Sequence, residues 1–237
     1  MLAAAVVPHP PLLVPAIAAG TGPEAAPLLA ACDAAVSALL AEVPEVIVCV
    51  GPGRTTIRHP PGAWGTLSGF GVEVPAPGTH HVGRPHLPLS LTLGRRLLDR
   101  AGWDGLVIAQ EMGPGATPEE CVTIGQRLRG EINGRNCWLI LGDGSTKRGE
   151  RGADPLDDHG ARLYDDAIAA AFAAGDVARI VGLDIATAEQ AGAGGRGAWQ
   201  VLAGAVQAGT GVGRSSVTYS GAPFGVGYVV ANWWLTS

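Results

Sequence analysis

Lysine is almost absent from this chain. Among 16 basic residues in 237, only Lys147 is a lysine. Blocks of basic residues are missing altogether, and the formal net charge is −5. Neither nucleic acid nor an anionic membrane surface is expected as a partner, because both are held by clustered cations. The four cysteines, Cys32, Cys49, Cys121 and Cys137, lie far apart and form no C-x-x-C pair. That spacing argues against a zinc site or a redox pair and leaves buried free thiols, as in a cytoplasmic protein. No apolar run approaches the roughly 18 residues of a membrane span. The opening residues lack the positive n-region of a signal peptide and are interrupted by Pro8, Pro10, Pro11 and Pro15.

What is present is enough apolar material, 47% of the chain, for a large core, and the length fits one domain over residues 1–237. Four short runs, Ala3 to Val7, Val46 to Val50, Gly105 to Ala109 and Cys137 to Leu141, show no polar alternation. Parallel strands buried on both faces need such continuous hydrophobicity. Helical patterns separate them. One is Ala/Leu-rich and runs to about Glu42, a second covers Leu89 to Ala101, and a third reaches about Gly130. The third starts at Thr117-Pro118-Glu119-Glu120, which, like Thr21-Gly22-Pro23-Glu24, carries the Thr cap, Pro and Glu of a helix start. Leu156 to Ala174, Ile185 to Ala191 and Ala198 to Ala208 read as further helices. Phe70 to Val74 reads as an edge strand, and Ser215 to Ser220 and Gly227 to Trp233 as closing strands. The alternation predicts an α/β fold, a mostly parallel sheet with helices on both faces. Trp233 and Trp234, adjacent on a strand, point to opposite faces. One is expected in the core; the other covers a subunit interface or packs on a helix.

In such a sheet, ligands sit beyond the carboxyl ends of the strands. The loops at His9, Gly51 to His59 and Gly142 to Arg148 leave such ends and are expected to share a pocket. Its candidate lining is His9, Arg54, Asp143, Ser145, Thr146 and Lys147, with His59 as a further candidate. Arg54 and Lys147-Arg148 would make it cationic and suited to an anionic small molecule. Arginine grips a carboxylate or phosphate with two parallel hydrogen bonds, and lysine supplies a point charge. Plainer readings stand beside these. His9, between prolines, can simply bond backbone. His59 can face solvent or be structurally bonded. Asp143, Ser145 and Lys147 can form a polar turn. His80, His81 and His86 sit in a Gly/Pro loop without a carboxylate at ligand spacing and read as surface. The glycines at Gly51 to Gly53 and Gly192 to Gly197 lack phosphate-loop and dinucleotide spacing and read as tight turns.

Several segments, in order and spacing, are similar to the catalytic-subunit family of class III extradiol ring-cleavage dioxygenases, including its Memo-like relatives. Val6-Val7-Pro8-His9-Pro10-Pro11-Leu12-Leu13 resembles that family's first strand and histidine loop. Val46 to Gly53 resembles its second strand, and Ile140-Leu141-Gly142-Asp143-Gly144-Ser145-Thr146 resembles a Ser-Gly-Asp-Leu-Ser-His motif. Tyr164-Asp165, Gly175-Asp176, Leu183-Asp184 and Pro223 to Tyr228 also fall where the family pattern has them.

The resemblance implies Fe(II) held by two histidines and a carboxylate, with a further histidine shuttling protons. Carried over residue by residue, His9 matches the first iron-binding histidine. Gly53 stands where the second ligand should be, Gly192 to Gly197 where the third should be, and Thr146 where the proton shuttle should be. The expectation is therefore a fold like that of the class III extradiol dioxygenase catalytic subunit, with a degenerate active site. It would hold no cofactor and bind a small polar or anionic ligand. One alternative is an active non-haem Fe(II)-dependent oxidoreductase with His9 and His59 as its metal pair. Another is a non-catalytic interaction subunit. Whether the chain is an enzyme stays open, as does homodimer formation.

Overall fold

The computed structural model describes residues 1–18, 22–72, 86–149, 155–209 and 211–236. The four apolar runs lie in one seven-stranded sheet, as β1 (Ala3–Val7), β2 (Val46–Pro52), β4 (Leu106–Met112) and β5 (Asn136–Leu141). These four are mutually parallel, with β5 between β1 and β2. The two-residue β3 (Ile57–Arg58) pairs antiparallel with β4 at one edge. At the other, β7 (Tyr228–Leu235) pairs antiparallel with β1, and β6 (Val212–Gly221) with β7. The order is β3-β4-β2-β5-β1-β7-β6.

Successive residues of a strand face opposite sides, and here both sides are covered. On one, α2 (Ala26–Leu40) and α3 (Leu89–Arg100) pack Leu28, Leu39, Leu91 and Leu98 onto Ala3, Ala5, Ile47 and Leu139. The other side is covered by α4 (Pro118–Glu131), α5 (Pro155–Ala174) and α8 (Arg196–Gln207), which share a core with Val6, Val48, Trp138 and Ile140. The short α1 (Pro15–Ala18) follows β1, and α6 (Val177–Val181) and α7 (Ile185–Ala191) lead from α5 into α8.

Two glycines let α4 and α8 touch backbone to backbone. A Cβ on Gly125 would lie 2.7 Å from the Ala205 amide nitrogen, and one on Gly204 would lie 2.7 Å from Val122 Cα. The start of α4 has the expected capping box: Glu120 N donates to Thr117 Oγ1 at 3.2 Å, and Thr117 N to Glu120 Oε2 at 2.9 Å. Thr117→Ala should cost about 1 kcal/mol in urea unfolding; a neutral result would mean that water replaces the hydroxyl.

Some expectations need correction. Residues 23–40 do match a membrane span by length, with a mean hydropathy of 1.3 over 18 residues. In the fold they hold α2, which buries Leu28, Cys32, Ala35, Val36 and Leu39 against the sheet. Thr21 lies outside the described residues, and α2 begins after a 3₁₀ turn (Gly22–Ala25) without a side-chain cap. Phe70 ends a 3₁₀ turn (Ser68–Phe70) rather than opening a strand, and residues 73–85, with His80 and His81, lie outside the described ones. His86 is exposed.

Trp233 is in the core, 1% exposed, and its Nε1 donates to Phe172 O at 2.8 Å. Trp234 packs within the chain. It donates to Glu42 Oε1 at 2.9 Å, and the Arg214 guanidinium lies 3.6 Å over its ring. All four cysteines are buried and free. Burial pushes the Cys32 and Cys49 thiols up to about 12, which leaves them protonated and unreactive.

Candidate functional site

The carboxyl ends of β2 and β4 carry an arrangement built around Glu111. Gly51 pairs with Glu111, so the Glu111 side chain reaches the loop that leaves β2. Its Oε1 accepts from the backbone amides of Arg54 at 2.6 Å and Thr55 at 2.9 Å. Its Oε2 lies 2.8 Å from His59 Nε2, and both side chains are 7% exposed. His59 is held there by β3, next to which its amide donates to Ala109 O at 2.9 Å. Burial alone would raise the Glu111 pKa. The bonds from Thr55, His59 and Arg54 outweigh it and hold the carboxyl below its ordinary value. Gly53 is required by this packing, because a Cβ there would run into the Glu111 carboxylate. The position that lacks the expected second ligand is thus filled by a carboxylate from the neighbouring strand.

A second pair sits across β1 and β5. His9 N donates to Asp143 Oδ1 at 2.8 Å. The imidazole Nδ1 lies 3.4 Å from the same oxygen, outside hydrogen-bond geometry. Burial lowers the His9 pKa and raises that of Asp143, and each charge only partly offsets the shift of the other. His9 therefore does bond across the loops, as a pocket residue or a plain loop histidine equally would.

The loop after β5 is pinned by Asp165 of α5. Asp165 Oδ1 accepts from Ser145 N at 2.8 Å, and Oδ2 accepts from Arg148 Nη1 at 2.8 Å. Burial raises the Asp165 pKa against these two bonds. Ser145 is fully buried, and its Oγ accepts from Lys147 N at 3.0 Å, so Ser145 plays the turn role. Thr146 is exposed and fastens to α7 by its amide, which donates to Ala191 O at 3.1 Å; Lys147 is half-buried.

The segment expected to supply a third metal ligand instead supplies Arg196. This residue is 4% exposed. Its guanidinium donates to Gln200 Oε1 at 2.7 Å, Pro114 O at 3.1 Å and Ala116 O at 2.7 Å. Among the described residues no carboxylate pairs with it. Arg196 lines a cavity of about 220 Å³, together with Gly53, Met112, Pro114, Glu189 and Ala193. An open groove of about 640 Å³ shares Gly113 and Pro114 with it and is lined by Arg54, Thr55, Thr56, Glu119 and Ile124.

The structure thus unites His9 with Asp143, and Arg54 with His59 around Glu111. Arg54 faces the groove, and Lys147 does not line either cavity. In these cavities the cations share the lining with carboxylates, Arg54 with Glu119 in the groove and Arg196 with Glu189 in the smaller cavity. The His59 imidazole is bonded to Glu111, Asp143 is bonded by the His9 amide rather than its ring, and Arg196 stands in the segment where the third ligand was expected. Among the described residues no three His, Cys, Asp or Glu side chains are grouped to hold a metal ion. Sequence reasoning missed Glu111, Asp165 and Arg196 as site-building residues. Glu111 did leave a signal, as an acid closing an apolar run.

No family model matches the chain, and no curated protein is similar to it in sequence. In fold it is similar to an uncharacterised protein of Escherichia coli K12 of known structure, at 11% identity and a TM-score of 0.51. The match covers 98% of this chain and 99% of that one and shows a common α/β architecture.

Proposed function

We propose that this chain is a divergent member of the class III extradiol dioxygenase catalytic-subunit fold that has given up the iron centre. In this reading it binds a small polar or anionic ligand beyond the carboxyl ends of β2 and β4, and it acts in the cytoplasm, in keeping with its buried free thiols. The observation that carries the proposal is Arg196, a buried guanidinium that has no carboxylate partner among the described residues and lines the 220 Å³ cavity. A fixed cation raises the cost of placing Fe(II) nearby and lowers that of an anion. The alternative, iron held by His9 and His59, needs the His59 imidazole to leave Glu111 and the two rings to meet, although β5 separates β1 from β2.

Anaerobic loading with Fe(II), followed by elemental analysis and oxygen uptake on protocatechuate, tests the first half. Neither stoichiometric iron nor uptake is expected; both together would overturn the proposal. A thermal-shift screen of small carboxylates and phosphates tests the second half. At least one should stabilise the fold, since charged hydrogen bonds are worth roughly 1.5–3 kcal/mol each. If none does, the ligand reading fails.

A further inference from the structure

The 220 Å³ cavity holds charges of both signs that do not meet. Arg196, 4% exposed, is its buried cation, and its hydrogen-bonded partners among the described residues, two carbonyl oxygens, an amide oxygen and the Cys121 thiol, are all neutral. Glu189, on the same lining, is exposed, and no ion pair joins it to Arg196 or to another described residue. The rest of the lining includes small and apolar residues, Gly53, Gly113, Ala188, Ala193 and Gly197. A buried charge without a counter-charge is costly and is repaid by an ion that reaches it. A simple anion would satisfy Arg196 but would leave the Glu189 carboxylate on the same lining uncompensated.

We propose that the cavity takes a dipolar ligand with its charges at opposite ends, a short ω-amino carboxylate. Its carboxylate faces Arg196 and its ammonium faces Glu189. The inference rests on the cavity reading above and narrows the ligand class. Size agrees: 220 Å³ is about seven water volumes, room for a chain of a few carbons with both end groups.

The test uses the whole protein and three probes of matched length, 4-aminobutanoate, butanoate and butylamine, at constant ionic strength. The readout is the amide NMR resonances of Gly194 and Gly197, which line the cavity. Saturable shifts are expected with 4-aminobutanoate. Butanoate should bind at least about tenfold more weakly, and butylamine should leave both amides unchanged. Glu189→Gln, at an exposed site, should bring 4-aminobutanoate down to the level of butanoate. Equal binding of 4-aminobutanoate and butanoate would overturn the dipolar assignment while leaving the anionic-ligand reading standing. A preference that survives Glu189→Gln would overturn it as well. So would the absence of any shift at these amides, in which case the thermal-shift screen alone decides the broader reading.

Discussion

Glu111→Ala should lower the unfolding free energy by about 3–5 kcal/mol, the usual result of removing one member of a buried pair. The side chain is the acceptor for two backbone amides and faces the imidazole of His59. Alanine would leave all three without a partner in a place that water reaches poorly. Glu111→Gln keeps the shape and one acceptor oxygen and should cost less. The pH dependence has a definite sign. Because the folded carboxyl titrates below its ordinary value, its contribution is fully present above the unfolded pKa of about 4. It is lost as pH falls through the lower folded pKa. Urea unfolding at neutral pH and at successively lower pH should therefore show parent and variant converging in acid. A neutral-pH loss below about 1 kcal/mol would place the carboxylate in effective contact with solvent.

Gly125→Ala should be of comparable severity, costing about 3 kcal/mol or more, at the upper end of overpacking effects. The new methyl would meet the Ala205 amide nitrogen at 2.7 Å, and a backbone atom cannot rotate away. Relief requires α8 to shift. Moving α8 would pull Arg196 from the Pro114 and Ala116 carbonyls and Trp199 from its edge-on contact with Phe172. Site and core should fail together. Gly130→Ala is the control on the same helix, since a Cβ there meets nothing within 4 Å. It should be neutral or slightly stabilising, because alanine is the better helix former. Melting temperatures that fall equally in both variants would contradict the close helix contact.

The legible part of the fold was the part whose burial is written locally. β1, β2, β4 and β5 must be apolar on both faces, so their runs stood out without any partner in view. The end of β4 did not, because Gln110 and Glu111 interrupt the apolar pattern. The burial of Glu111 is compensated by His59, 52 positions away. β3 was invisible because both of its residues are exposed and it has only two. In the site, residue types at strand ends marked His9, Arg54, His59 and Asp143 as neighbours of a crevice. Which carboxylate each histidine meets depends on strand order, as with His9 and Asp143 at a separation of 134. Arg196 was hidden among glycines, in a segment whose glycines suggested only turns.

The four buried thiols give the molecule native clocks for its own opening. Cys32, Cys49 and Cys137 lie in the layer under α2 and α3, and Cys121 lies in the layer under α4 and α8. A thiol reagent added to folded protein can reach each only when its layer separates from the sheet. Identifying the labelled residues by mass spectrometry over time would show whether the two sides come apart as one unit or independently, with no substitution needed.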